Sequence, residues 1–179
     1  MNPTEIFNQF DVFIAARKQS FEAVVIGGAA LACLGVITRE TKDCDILDPI
    51  IPPEIEQAAH EFSLELASIG QDLKEDWLNN GPESLKKLLP KGWHSRLIPI
   101  YHGQALFLST LGRDDLLKTK LFAYCDRGQD LHDCLALNPS SDELKDAIEW
   151  VMEQDTNPEW PGYVKTQFLK LSKRLGHGL

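Results

Sequence analysis

The sequence predicts an α/β (α+β) fold, in which a small mixed sheet is flanked by helices and followed by a helical C-terminal part. Two strand-like segments indicate the sheet. Residues 23–26 form an apolar, mostly β-branched run that ends at the pair Gly27-Gly28, and residues 43–47 alternate in polarity as half-buried strands do. Residues 113–179 instead carry apolar side chains at helical spacing, which indicates helices alone.

Length and composition are those of an ordinary globular protein. The chain has 179 residues, of which 43% are apolar and 25% charged, so it can bury a core and is not expected to be disordered. We expect an α/β core at residues 1–112 and a helical region at residues 113–179 that packs on the core as one compact unit.

The charge balance restricts the classes of partner. With 18 Lys and Arg against 27 Asp and Glu, the net charge is −9, and residues 161–179 carry four cations and no acid. Duplex DNA is therefore not an expected partner. An acidic chain can still bind a nucleoside triphosphate where a metal ion or a few placed cations offset the repulsion.

We expect neither a signal peptide nor a membrane-spanning segment. Its first residues are polar and acidic, and no window approaches 18 consecutive apolar residues. The four cysteines form no C-x-x-C motif, which favours reduced thiols over a disulfide framework. We therefore expect a cytoplasmic protein with no membrane partner.

The front half begins with a helix. Apolar side chains at residues 6, 10, 13 and 14 predict an amphipathic helix over residues 3–18. The strand at 23–26 then turns at the diglycine into a short helix at 29–34, which Gly35 ends. After the strand at 43–47, helical spacing returns over residues 53–68.

Turn-forming residues interrupt the next segment. Residues 70–94 are predicted to be loops with one short helix near 84–89, because Asn, Gly and Pro recur there. Two strand-like runs follow, at 96–101 and 105–108, and the three residues between them predict a hairpin.

The back half is predicted to contain four helices. They span residues 114–125 and 130–137, a segment opened by the capping box Ser140-x-x-Glu143, and residues 160–174.

Asp43 and Asp45 are the first candidate for chemistry. Two carboxylates at positions i and i+2 of a strand point to the same face, with Cα atoms roughly 6 to 7 Å apart. Mg²⁺ (or Mn²⁺) takes oxygen ligands and is usually held by one or two carboxylates together with substrate phosphates. The pair therefore predicts a metal site, although such acids also occur as solvated groups at a strand edge.

Gly27 and Gly28 are the second candidate. Glycines between a strand and a helix let the backbone approach a ligand closely, and free N–H groups there attract anions. The alternative is a tight turn that needs a positive φ. Together, the diglycine and the D-x-D strand predict a phosphate cradle and a metal anchor on one edge of the sheet.

Three motifs give these residues a family context. The first is Gly27-Gly28-Ala29-Ala30-Leu31 followed by Arg39-x-Thr41-x-Asp43-x-Asp45-Ile46-Leu47. The others are Lys120-Leu121-x-Ala123 followed by Arg127-x-x-Asp130-x-x-Asp133, and Trp77-Leu78-Asn79. They resemble motifs of the nucleotidyltransferase fold in its minimal bacterial branch, in particular AbiEii-type abortive-infection and toxin–antitoxin nucleotidyltransferases and their uncharacterised relatives.

The resemblance implies a reaction and roles for individual residues. Members of the fold transfer a nucleoside monophosphate from a nucleoside triphosphate to an acceptor hydroxyl and release pyrophosphate. The implied metal ligands are Asp43 and Asp45, and the implied phosphate cradle is Gly27 with Gly28. Thr41 would contribute a hydroxyl or orient the strand.

The resemblance also implies a role for cations. Arg39 is an expected nucleotide-binding residue, although it could instead pair with a nearby acid. Lys120 and Arg127 are seven residues apart on one helix face, so both could reach the triphosphate, Lys120 as a catalytic group. In the alternative, both cations pair with Asp130 and Asp133.

The third acid that active polymerase-like members place on a following strand is missing. Residues 91–108 contain no Asp or Glu, and Asp48, Glu75 or Asp76 would substitute only if the loops folded back. Two ligand-binding hypotheses remain, beside a structural interaction protein without a ligand, which would need Gly27-Gly28 and Asp43/Asp45 to lie apart. One is an Mg²⁺-dependent nucleotidyltransferase that modifies a protein or RNA hydroxyl, with tRNA a possible acceptor, in a toxin–antitoxin or phage-defence system. The other is a catalytically degenerate nucleotidyltransferase-fold binding module, such as an antitoxin or nucleotide sensor with a cognate partner protein.

Overall fold

The computed structural model describes residues 2–41 and 43–177, which form seven α-helices and five strands. In chain order these are α1 (Pro3–Ala16), β1 (Phe21–Ile26), α2 (Gly27–Cys33), β2 (Cys44–Asp48), α3 (Pro53–Ser68), β3 (Leu78–Asn79), β4 (Ile98–His102), β5 (Leu106–Thr110), α4 (Arg113–Arg127), α5 (Leu131–Leu137), α6 (Ser141–Met152) and α7 (Trp160–Arg174). Two 3-10 helices lie at Glu83–Lys87 and Trp93–Arg96. No described helix is both long and apolar enough to cross a membrane.

The five strands form one mixed sheet in the order β3-β2-β1-β5-β4. The central strand β1 runs antiparallel to β2 and parallel to β5. At the edges, β3 is parallel to β2, and β4 is antiparallel to β5 as the predicted hairpin requires. This mixed sheet with its flanking helices confirms the predicted fold class.

Helices α1 and α3 form the main hydrophobic core with the sheet. Val25 of β1 and Ile46 of β2 are fully buried in the same apolar cluster as Phe10 and Phe62. Aromatic rings interlock at its centre, where the Phe10 ring meets the Trp77 ring edge-on at a centroid distance of 5.1 Å. This packing buries the side chains that gave α1 and α3 their helical periodicity.

Asp11 of α1 fixes the turn between β4 and β5. Its carboxylate accepts hydrogen bonds from the backbone N–H groups of Gln104, Ala105 and Leu106, at 3.0, 2.7 and 2.7 Å. Burial tends to raise the pKa of this carboxyl, but the three hydrogen bonds outweigh burial and lower the pKa below its usual value of 3.8. Gly103 must lack a side chain here, because a Cβ atom would overlap the Asp11 carboxylate.

The segment between α3 and β4 differs from the prediction of loops with one short helix. Leu78 and Asn79 form the edge strand β3, and the helix predicted at 84–89 is a 3-10 helix at Glu83–Lys87. The second strand is also shifted by one residue from its predicted bounds. It begins at Cys44, so Asp43 precedes it.

The chain divides into two compact units. The first comprises Met1–Lys87 and Lys91–Leu111 and contains the sheet, and the second comprises Leu88–Pro90 and Gly112–Leu179. Within the second unit, the Trp160 indole N–H donates to the carbonyl of Val151 at 2.9 Å. The predicted capping box is present, because Ser140 and Glu143 exchange side-chain to backbone hydrogen bonds at the start of α6.

Candidate active site

The turn from β1 into α2 lies against the side chain of Asp45. Ile26 and Asp45 are register partners in the antiparallel pair β1 and β2, which places the carboxylate beside the next residue, Gly27. A Cβ atom on Gly27 would lie 2.5 Å from Asp45 Oδ2, and the backbone φ of Gly27 is +76°. Only glycine satisfies both conditions without strain.

Gly28 brings two further predicted site residues to the same turn. A Cβ atom on Gly28 would lie 2.9 Å from Thr41 Cγ2 and 3.6 Å from a guanidinium nitrogen of Arg39. Thr41 is buried, so its position is set by packing. The structure therefore brings Gly27, Gly28, Arg39, Thr41 and Asp45 together at one turn, with a cation beside the diglycine and a carboxylate across from it.

Asp43 immediately precedes β2 and contacts a different neighbour. Its Oδ2 atom is 3.3 Å from the ammonium of Lys74, in the segment that leads into β3. The two side chains are 47% and 49% exposed, so this ion pair contributes little stability and a ligand can displace it. That Asp43 and Asp45 hold one metal ion together stays a prediction.

The donor set fits a hard divalent cation. Two carboxylates with substrate phosphates and water are a usual ligand set for Mg²⁺. Within residues 2–41 and 43–177, no group of three or more His, Cys, Asp or Glu side chains could hold a metal. Asp48 pairs with Lys86, and Glu75 Oε2 lies 3.7 Å from His60 Nδ1; among the described residues, neither acid is part of a group of three that could hold a metal.

Lys120 of α4 is held by two carboxylates within the second unit. Its ammonium donates to Asp130 Oδ1 and Asp133 Oδ2, each at 2.7 Å, and its side chain is 8% exposed. Burial by itself lowers the pKa of Lys120, but the two hydrogen bonds outweigh burial and raise it above 10.5. Arg127 is more exposed and lies 3.5 Å from Asp130 Oδ2. These ion pairs are the alternative that the sequence offered for Lys120 and Arg127. That either cation contacts a triphosphate stays a prediction.

One polar residue beside the site was given no role from the sequence. Asn79 of β3 is the register partner of Asp45 in the parallel pair β2 and β3. The Trp77-Leu78-Asn79 element marked this position, but neither element type nor pairing could be read from two residues inside a turn-rich segment.

Residues 4–151 match the family model described as a nucleotidyltransferase of unknown function (DUF6036). The match spans most of the chain and includes the β1–α2 turn, Asp43, Asp45, Asn79 and Lys120. The chain therefore belongs to this nucleotidyltransferase-like family. No curated protein and no solved structure matches it.

Proposed function

We propose that the protein is an Mg²⁺-dependent nucleotidyltransferase, with Mn²⁺ as an alternative metal, that transfers a nucleoside monophosphate from a nucleoside triphosphate to a hydroxyl group of a protein or an RNA. The observation that carries the proposal is the contact between Gly27 and the Asp45 carboxylate, inside a chain of the nucleotidyltransferase family. This contact puts a metal-binding oxygen beside a backbone segment that a phosphate can approach closely.

In the proposed reaction, an acceptor hydroxyl oxygen attacks the α-phosphorus of the nucleoside triphosphate. A new P–O bond forms, the bond between the α-phosphorus and the bridging oxygen breaks, and pyrophosphate leaves with its electron pair. When bound, Mg²⁺ supplies charge neutralisation for the phosphate oxygens. The hydroxyl proton would pass to water, because residues 91–108 provide no third acid that could act as a base. Turnover without a positioned base is expected to be slow, by about 10²- to 10⁴-fold.

The chain's own residues have separate roles in this proposal. Asp43 and Asp45 would hold the metal, and Gly27 and Gly28 would leave space for the phosphates. The Arg39 guanidinium lies beside Gly28, so it would offset phosphate charge at the cradle. Lys120 and Arg127 remain proposed as further phosphate contacts, provided that a ligand competes with Asp130 and Asp133 for them.

The biological setting is proposed from the three motifs that resemble AbiEii-type proteins. A role in a bacterial toxin–antitoxin or phage-defence system would give the protein a cognate partner protein in the cytoplasm. The acceptor would then be a hydroxyl group of a cellular protein or the end of a tRNA. The family membership supports the nucleotidyltransferase part of this proposal.

A specific observation favours a second candidate, a binding module that holds a nucleotide without turnover. Among the described residues, no group of three or more His, Cys, Asp or Glu side chains could hold a metal, so the two predicted carboxylates would bind a metal-bound triphosphate without a third acid as general base. An antitoxin or nucleotide sensor would need no more than this.

The two candidates are separated by labelling. The protein is incubated with Mg²⁺ and each common nucleoside triphosphate, labelled at the α-phosphate or at the γ-phosphate, with a total protein extract or tRNA as acceptor. The enzyme transfers the α-label only, and loses this activity in Asp45→Asn and in the presence of EDTA. Asp72→Asn, which changes an exposed acid of the same unit, is the matched control.

Thermal stabilisation by Mg²⁺ and a triphosphate without transfer supports the binding module. If no triphosphate gives either stabilisation or transfer, both candidates are contradicted.

A further inference from the structure

We propose that Asn79 is an additional phosphate-binding residue of this site, and that its side-chain NH₂ group donates a hydrogen bond to a phosphate oxygen next to the metal held by Asp45. This inference rests on the proposed function and names a residue to which neither the sequence motifs nor the family match gives a role.

The sheet places the Asn79 side chain beside that of Asp45. The pairs Cys44 with Leu78 and Asp45 with Asn79 are the register partners of the parallel strands β2 and β3. Paired residues of neighbouring strands point to the same face, and the strands lie about 4.8 Å apart. Asp45 therefore has Gly27 on its β1 side and Asn79 on its β3 side.

Hydrogen bonds on both sides of Asn79 hold this register. Before it, the backbone N–H of Cys44 donates to the carbonyl of Trp77 at 2.5 Å. After it, the side-chain NH₂ of Asn80 donates to the carbonyls of Ile46 and Pro49, each at 3.0 Å. The NH₂ group of Asn80 thus already donates to two carbonyls at the end of β2. The NH₂ group of Asn79 makes no such bond to the described residues.

One further contact orients the Asn79 amide. Its Oδ1 atom accepts a hydrogen bond from the backbone N–H of Gly81 at 2.8 Å. The oxygen and nitrogen of a carboxamide lie on opposite sides of its carbon atom, so fixing the oxygen directs the NH₂ group away from Gly81. No acceptor within residues 2–41 and 43–177 takes a hydrogen bond from this NH₂ group, and the side chain is half-buried at the sheet edge.

The chemistry of an amide suits a triphosphate better than that of a third acid at this position. A neutral donor hydrogen-bonds an anionic phosphate oxygen without repelling it, which matters in a protein of net charge −9. A carboxylate at this position would add a ligand for the metal but would repel the negatively charged phosphates. The site beside Asp45 is therefore arranged to bind phosphate.

Asn79→Asp separates this role from a structural one. Aspartate retains the acceptor for the Gly81 N–H, so the turn after β3 is kept, but the donor is lost and a negative charge replaces it. We expect the Kd for Mg²⁺-bound inorganic triphosphate, a probe that carries no base, to rise about tenfold or more. Asn79→Ala, a second variant with no added charge, should also lose affinity, and the unfolding temperature of Asn79→Asp should stay near that of the wild type.

Asn80→Asp is the matched control, because it changes the neighbouring amide in the same way. It should lower the unfolding temperature by removing both donor bonds to Ile46 and Pro49, while the folded protein keeps its affinity for the probe. Wild-type affinity in both Asn79 variants, together with lost affinity in Asp45→Asn, would overturn the inference and leave the proposed function standing. A wild-type protein that binds neither this probe nor any Mg²⁺-bound nucleoside triphosphate would overturn both.

Discussion

Gly27 and Asp45 are in direct contact across β1 and β2, so closely that a methyl group on Gly27 would lie 2.5 Å from Asp45 Oδ2. The positive φ of Gly27 turns the backbone toward the carboxylate, and the antiparallel register supplies the carboxylate at that point. Any side chain at position 27 would therefore displace the Asp45 carboxylate.

The first prediction concerns this contact. In Gly27→Ala, the new methyl group displaces the Asp45 carboxylate, and the positive φ adds about 1–2 kcal/mol of backbone strain. We expect lost stability together with lost stabilisation by Mg²⁺ and nucleoside triphosphates, both measured by thermal unfolding. Gly35→Ala is the control, because Gly35 has a φ of +70° and nothing within 4 Å of its Cβ position. Equal loss of ligand stabilisation in both variants would show that backbone strain alone is responsible.

The second prediction concerns Gly28 and Thr41. In Gly28→Ala, the methyl group meets Thr41 Cγ2 at 2.9 Å and shifts Thr41, together with the neighbouring Arg39. We expect weaker nucleotide binding and a loss of about 1–3 kcal/mol of stability, because the methyl group overpacks a buried side chain, although the φ of Gly28 is not in the left-handed region. Thr41→Ser removes Cγ2 but keeps the hydroxyl, so the double variant should regain most of the affinity in the same titration. A double variant no better than Gly28→Ala would show that Thr41 does not mediate the effect.

The third prediction concerns the buried cation of α4. Lys120→Met removes the buried cation to which Asp130 and Asp133 both hydrogen-bond, so the free energy of unfolding should fall by about 3–5 kcal/mol. Replacing both acids by Asn in the same chain should restore most of that loss in a denaturant titration.

The triple variant also tests the predicted catalytic role of Lys120. If Lys120 contacts the triphosphate during transfer, the triple variant folds but does not transfer label. Full transfer by the folded triple variant would make Lys120 a structural residue.

The fourth prediction concerns the acid stability of the hairpin turn. Because the pKa of Asp11 is lowered in the folded protein, its carboxylate stabilises the fold above pH 3.8, and this contribution is lost as the pH falls through the lower folded-state pKa. Asp11→Asn should lower the free energy of unfolding at neutral pH by about 1–3 kcal/mol, because the amide presents an NH₂ group to backbone donors. Below pH 3.8, denaturant titrations should show the wild type losing this advantage over the variant. An advantage that persists at acidic pH would contradict the assignment.

The sequence predicted the elements whose signal is local. Each of four elements is predicted by its own residues: β1 by the β-branched run before Gly27, β2 by the alternation after Asp43, and α1 and α3 by their apolar spacing. The structure contains all four. Strand β3 was missed because its two residues carry no period of their own. Its pairing depends on Cys44 and Trp77, more than 30 residues apart in the chain.

The site residues likewise divide into those that local sequence signals predict and those that depend on long-range contacts. The approach of Asp45 to the diglycine could be expected once β1 and β2 were recognised as neighbouring strands with a turn at Gly27. Spacing on α4 placed Lys120 on a helix face but could not tell whether an acid or a ligand lies opposite. The structure places Asp130 and Asp133 there, at 2.7 Å, because the chain reverses between α4 and α5.

The bonds from Asp11 to the turn before β5 also bear on how the nascent chain matures. Helix α1 is synthesised early, yet the amides that its carboxylate binds, at residues 104–106, follow more than 90 residues later in the chain. The parallel partner of β1 arrives at the same time, since Phe21 pairs with Leu106. The amino-terminal half of the first unit therefore stays incompletely assembled until translation has passed β5, and its apolar helix faces lack part of their packing during that interval.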